Sequence, residues 1–106
     1  MCNLYSGQDP NVYAREKRSL RLSGFVTSIC LERLFWQVLD AAAANEGITT
    51  PRFIGKLYTE MQARPDEIPS FASLLRVACA IYINAHPEKP LASYVREMGG
   101  STAAAA

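Results

Sequence analysis

Residues 19–31 read Ser19-Leu20-Arg21-Leu22-Ser23-Gly24-Phe25-Val26-Thr27-Ser28-Ile29-Cys30-Leu31. Period-two alternation puts Phe25, Thr27, Ile29 and Leu31 on one face of an extended chain, and Val26, Ser28 and Cys30 on the other. Leu20 and Leu22 have the opposite parity to Phe25 and Ile29, so the register must shift by one between them. Ser23-Gly24 is the place for that shift, as a bulge or a tight turn. The chain has no second convincing strand region, and the residues beyond Leu31 are helical in pattern.

A strand needs partners for its backbone donors and acceptors, and two mates are available. Leu20–Leu22 can fold back on Phe25–Ile29 as an intrachain hairpin. Alternatively, strand 25–31 pairs antiparallel with its own copy in a second subunit. A lone hairpin is marginal in water, which favours the homodimer. In that arrangement Phe25, Ile29 and Leu31, joined by Phe35 and Leu39, form the dimer core.

Outward from the strand, residues 32–46 carry Phe35, Leu39, Ala42 and Ala43 at helical spacing, and Gly47 closes that helix. Thr49-Thr50-Pro51 opens a second helix, to about Gln62, with a threonine cap and proline in the first turn. Residues 63–69 read as a loop. Ser70 caps a third helix to about His86, apolar nearly all round, which must be covered on more than one side. Pro90 starts a short last helix ending at Met98, followed by a frayed tail. The expected fold class is mostly α with one N-terminal strand region. Residues 1–18 form an arm without regular structure, 19–86 the domain with its third helix, and 87–106 a short helix and disordered tail.

The chain has 106 residues and a formal charge of +1, so no global basic field announces a nucleic-acid partner. A local one exists: Arg15, Lys17, Arg18 and Arg21 fall within seven residues, with only Glu16 opposed. The longest apolar run, residues 77–83, is far short of a membrane span. The start lacks the basic and apolar regions of a secretory signal, and Cys2, Cys30 and Cys79 form no CxxC. A cytoplasmic protein with reduced thiols is expected. His86 is the one histidine, and it offers no nucleophile system or metal-ligand spacing. Neither GxGxxG nor a P-loop occurs. No enzyme, cofactor or metal is expected.

A two-stranded ribbon fits the major groove of B-DNA. The Thr49-Thr50 helix start offers amides and a positive dipole end to phosphate. The order strand, helix, glycine turn, threonine-capped helix resembles the ribbon-helix-helix fold of Arc and MetJ-type proteins. More closely, Arg18-Ser19-Leu20-Arg21-Leu22, Gly24, Thr27-Ser28, Leu31-Glu32, Phe35-Trp36, Leu39, Gly47 and residues 72–77 are similar to a bacterial family of small ribbon-helix-helix domain proteins. The resemblance covers roughly residues 1–83. It implies a homodimer that binds double-stranded DNA and acts as a transcriptional regulator.

It also implies that Val26, Ser28 and Cys30 point into the groove and that Thr49 and Thr50 hold phosphate. Lys17, Arg18 and Arg21 of the basic segment add contacts. Phe25 stands where histidine is common in such relatives, and Cys30 where arginine or serine is frequent. Val26, Ser28 and Cys30 have little hydrogen-bonding power, so Arg21 becomes the best base or phosphate contact. The alternative is a protein-interaction module of antitoxin or adaptor type on the same fold, with another protein as partner.

Overall fold

The computed structural model describes the backbone of residues 4–105 and the side chains of residues 4–98. Cys2 therefore lies outside the described residues. The element order is α1 (Pro10–Tyr13), β1 (Arg15–Leu22), β2 (Phe25–Glu32), α2 (Arg33–Asn45), α3 (Thr50–Gln62), α4 (Phe71–Ala85) and α5 (Leu91–Ala105).

Of the two mates open to the strand, the structure shows the intrachain one. β1 and β2 form a two-stranded antiparallel sheet, with Leu22 opposite Phe25 and Arg15 opposite Glu32. One edge of β2 is thus satisfied within the chain by β1. The basic segment is itself a full strand, eight residues long, rather than an arm leading to one. Ser23 and Gly24 have φ of +50° and +86°. Positive φ at both central residues is what a type I′ turn requires, and its twist matches that of the flanking strands. The parity shift at Ser23-Gly24 is thus the turn of a hairpin. It lets Leu20, Leu22, Ile29 and Leu31 share the buried face. Phe25 shares that parity and lies opposite the buried Leu22, yet it is 75% exposed. It is not part of this chain's core.

The helices begin and end where the local chemistry dictates. Gly47, at φ +71°, closes α2. Ile48 N–H donates to Ala43 O (3.1 Å) and Gly47 N–H to Ala44 O (3.0 Å), the two bonds of a Schellman end. Thr49 caps α3 by accepting from Arg52 N–H at 3.3 Å, and Ser70 caps α4 by accepting from Ser73 N–H at 3.1 Å. Two further expectations are corrected. Within the N-terminal segment, Asp9 caps the short helix α1 by accepting from Asn11 N–H, and Val12 is buried. Ala14 O accepts from Arg33 N–H at 2.7 Å, which joins this segment to α2. At the other end α5 runs past Met98 to Ala105. An alanine run is the best helix former and can carry a helix through Gly99-Gly100 despite the cost of those glycines.

The core lies between the sheet's inner face and the helices. It gathers Leu20, Leu22, Ile29 and Leu31 from the hairpin, Trp36, Val38 and Leu39 from α2, Ile54 from α3, Leu75 and Cys79 from α4, and Tyr94 from α5. Burial pushes the Cys79 thiol up to about 12, which makes it an inert filler. α4 covers only part of its apolar circumference. Leu75 and Cys79 are buried, whereas Val77 and Ile81 are 56% and 62% exposed.

Candidate nucleic-acid interface

Cross-strand partners share a face of the sheet. The register therefore defines the hairpin's outer surface as four rows: Arg21 with Val26, Ser19 with Ser28, Lys17 with Cys30, and Arg15 with Glu32. Three cations and two serines look away from the core. Arg15, Lys17, Ser19, Arg21, Val26 and Ser28 are exposed, while Cys30 is half-buried. Arg21 extends its guanidinium toward the turn, with Nη1 3.5 Å from Gly24 O. In the last row Arg15 Nε lies 3.9 Å from Glu32.

Glu32 is also held from the helical side by Arg76, whose Nε donates to Oε1 at 3.1 Å. Partial burial alone would raise the Glu32 carboxyl. Its own backbone N–H, Arg76 and Arg15 outweigh that and bring it below the usual carboxylate range. At neutral pH the one acid in the outer rows is ionised and already engaged on both sides.

The structure divides the sequence-derived site residues into two groups. Lys17, Arg21, Val26, Ser28 and Cys30 share the outer face. Arg18 and Thr50 belong to a different cluster, and Thr49 only caps α3. Arg18 points inward with Leu20 and Leu22. Its Nη1 and Nη2 donate to the two oxygens of Asp40 at 2.9 and 3.1 Å, and its Nε donates to Glu16 at 2.9 Å. Its guanidinium also lies over the Trp36 ring, 4.5 Å from the centroid. Burial opposes the charge on Arg18, but the hydrogen bonds and charges of Asp40 and Glu16 prevail and raise its pKa.

Thr50 Oγ1 donates to Asp40 Oδ1 at 2.7 Å. Asp40 thus ties β1, α2 and the start of α3 together, and its carboxylate is the anion beside that helix start. The partner foreseen for Arg18 was a phosphate; the partner it has is a carboxylate of its own chain. Parity holds the signal that separates these arginines. Arg18 has the parity of Leu20 and Leu22, whereas Arg15, Lys17 and Arg21 have the other. Arg15 belongs with the outer cations.

Among the described residues no group of three or more His, Cys, Asp or Glu could hold a metal ion. No helix of the described chain is long and apolar enough to cross a membrane.

Among curated proteins, none matches this chain. A solved structure is similar: that of an uncharacterized protein from Bordetella pertussis Tohama I. It is 38% identical, with a TM-score of 0.73, and the match covers 82% of this chain and 70% of that one. The ribbon-helix-helix domain family matches residues 15–83, from the first residue of β1 to near the end of α4. That span holds the hairpin with its outer cations and the helices α2, α3 and most of α4 that back it, and the chain belongs to the ribbon-helix-helix domain family.

Proposed function

We propose that this protein is a homodimeric DNA-binding regulator that lays its hairpin in the major groove. The observation that carries this reading is the outer surface of the hairpin. Arg15, Lys17 and Arg21 stand on one strand, all outward, with Ser19, Ser28 and Val26 beside them. Two strands lie about 5 Å apart, which suits a groove about 12 Å wide. Lys17 and Arg15, nearer the helices, meet phosphates, while Arg21 and the serines face base edges. Thr49 serves chiefly to cap α3, and Thr50 to fix that helix against β1 through Asp40. Phosphate contact at that end falls to the exposed Arg52.

In this reading the second copy docks through α4 rather than through the sheet. Pairing β2 with its twin would give four strands spanning about 14 Å between outer backbones, more than the groove admits. α4 instead presents a ridge of Leu74, Val77 and Ile81 with a groove on either side. Lys56 and Glu60 border one groove, and Arg64 and Glu67 the other. An antiparallel two-fold brings each rim against its own copy, so both signs meet on each side. The two hairpins stay outside this seam, free for two half-sites.

The test is titration of labelled duplexes, from about 50 mM salt upward, beside sedimentation of the free protein. Binding that falls steeply with salt, by a species of twice the chain mass, is the expected result. A folded protein that binds no duplex even at the lowest salt would overturn the reading. The exposed Val77 and Ile81 are also what a protein-docking module would use. A stoichiometric protein partner captured unchanged by the Lys17→Ala/Arg21→Ala variant would favour that reading instead.

A further inference from the structure

The outermost row of the hairpin has a composition unlike the other three. Arg21 lies directly opposite Val26, in the outer-face row nearest the two-residue turn and one pair in from it. Val26 is 67% exposed on a face whose neighbouring row is two serines. Arg21 keeps its guanidinium near the turn through the long contact to Gly24 O, and so beside Val26. An apolar branched side chain and a forked cation therefore share the far end of a strip that is otherwise hydroxyls, Lys17, Cys30 and an ion pair.

In the major groove the apolar group on offer is the thymine methyl, and guanine O6 and N7 are what a guanidinium reads in bidentate fashion. Successive outward residues of a strand advance about 6.7 Å, which is two base steps of about 3.4 Å. One outward row thus faces one two-base step. We infer that the Arg21–Val26 row reads a step presenting a guanine beside a thymine, Arg21 on guanine O6/N7 and Val26 on the thymine C5 methyl.

The neighbouring rows carry no comparable discrimination. Ser19 and Ser28 hydrogen-bond to any base edge, since a hydroxyl both donates and accepts. Glu32 is occupied by Arg76 and Arg15. Cys30 is half-buried with a weakly polar thiol. Specificity in this hairpin is concentrated at its tip, where Val26 gives what a hydroxyl or amide at the same place would not: preference for a base that differs from uracil only by a methyl.

This inference rests on the DNA-binding reading, and the experiment separates the two. A random-sequence duplex pool is selected with the full chain, and the selected duplex is remade with uracil replacing thymine, one position at a time. The expected result is one thymine per half-site, next to a guanine, whose replacement weakens binding about fourfold, the effect of withdrawing one buried methyl. Replacing the adjacent guanine by 7-deazaguanine weakens it roughly tenfold.

Val26→Ala binds uracil and thymine duplexes alike, and Val26→Thr, of similar shape, narrows the preference. Circular dichroism of both variants checks the fold, which an exposed position leaves intact. If the selected duplex tolerates uracil at every position, the assignment of Val26 is overturned while DNA binding stands. If Val26→Ala retains the uracil penalty, another residue reads the methyl and the assignment fails. If the chain selects no duplex from the pool, both the inference and the function it rests on fail.

Discussion

Arg18 and Trp36 are stacked, the guanidinium 4.5 Å from the centre of an indole ring that is itself fully buried. The indole N–H donates to Glu16 O at 2.8 Å. Arg18 is therefore a structural clamp between β1 and α2, holding Asp40 at one end and covering the core tryptophan along its plane. Arg18→Ala should destabilise the fold by about 2 kcal/mol, since it removes the charge-assisted bonds and uncovers the ring. Arg18→Lys should recover less than half, because an ammonium cannot fork onto Asp40. Urea unfolding of both variants checks this, and a loss under about 0.5 kcal/mol for Arg18→Ala, the range of an ordinary surface change, would contradict the clamp.

Lys17 and Arg21 should behave in the opposite way. Both are exposed on the outer face, so alanine at either position should leave stability within about 0.5 kcal/mol. DNA affinity should weaken. For Lys17→Ala the slope of log K against log salt should drop by about one for each phosphate left without its cation. Paired urea and salt titrations of Lys17→Ala, Arg18→Ala and Arg21→Ala separate surface cations from the clamp.

The turn offers a test confined to the backbone. A Cβ at Gly24 would meet nothing within 4 Å, so only the φ of +86° penalises a side chain there. Gly24→Ala should cost about 1–2 kcal/mol through strain alone. Ser23, at φ +50°, is a serine where asparagine is preferred, and Ser23→Asn should stabilise by about 0.5 kcal/mol. Thermal unfolding should move in opposite directions for the two variants.

Glu32 sets a pH dependence of definite sign. Partial burial raises its carboxyl, but its backbone N–H, Arg76 and Arg15 hold it below the ordinary 4.5. A carboxyl whose folded pKa is depressed contributes stability above its unfolded pKa and loses it as pH falls through the folded one. The denaturant midpoint should therefore fall between about pH 5 and pH 3, and fall less in Glu32→Gln. Equal slopes in the two proteins over that range would mean that Arg76 and Arg15 do not matter to the folded state.

The seam assigned to α4 predicts that Val77→Lys/Ile81→Lys gives a folded monomer. Neither side chain belongs to the buried core, so circular dichroism should be unchanged while the sedimenting mass halves. A dimer that persists in this variant would relocate the two-fold to another surface.

Much of this architecture is written in local signals. Thr49-Pro51, Ser70 and Gly47 mark helix ends because capping is a matter of a few adjacent groups, and α2, α3 and α4 lie within a residue or two of their expected bounds. The parity break at Ser23-Gly24 pointed to the turn. The strand's mate was harder to read. Arg15, Glu16, Lys17 and Arg18 do not look like a strand by composition, because the inner positions of β1 nearest α2 are filled by a Glu16–Arg18 pair rather than by apolar residues. The burial of Arg18 was hidden for the same reason: its partners Asp40 and Trp36 are about twenty residues away along the chain. The short helix α1 was missed because four residues leave no periodicity to detect.

The adjacency of β1 and β2 bears on how this molecule is made. A sheet whose strands are neighbours in one chain closes by a unimolecular step, with a loop of two residues to order. Refolding should proceed at a rate independent of protein concentration, and the hairpin can form while α4 is still emerging from the ribosome. Synthesis of a single chain therefore needs no second copy nearby to complete its sheet.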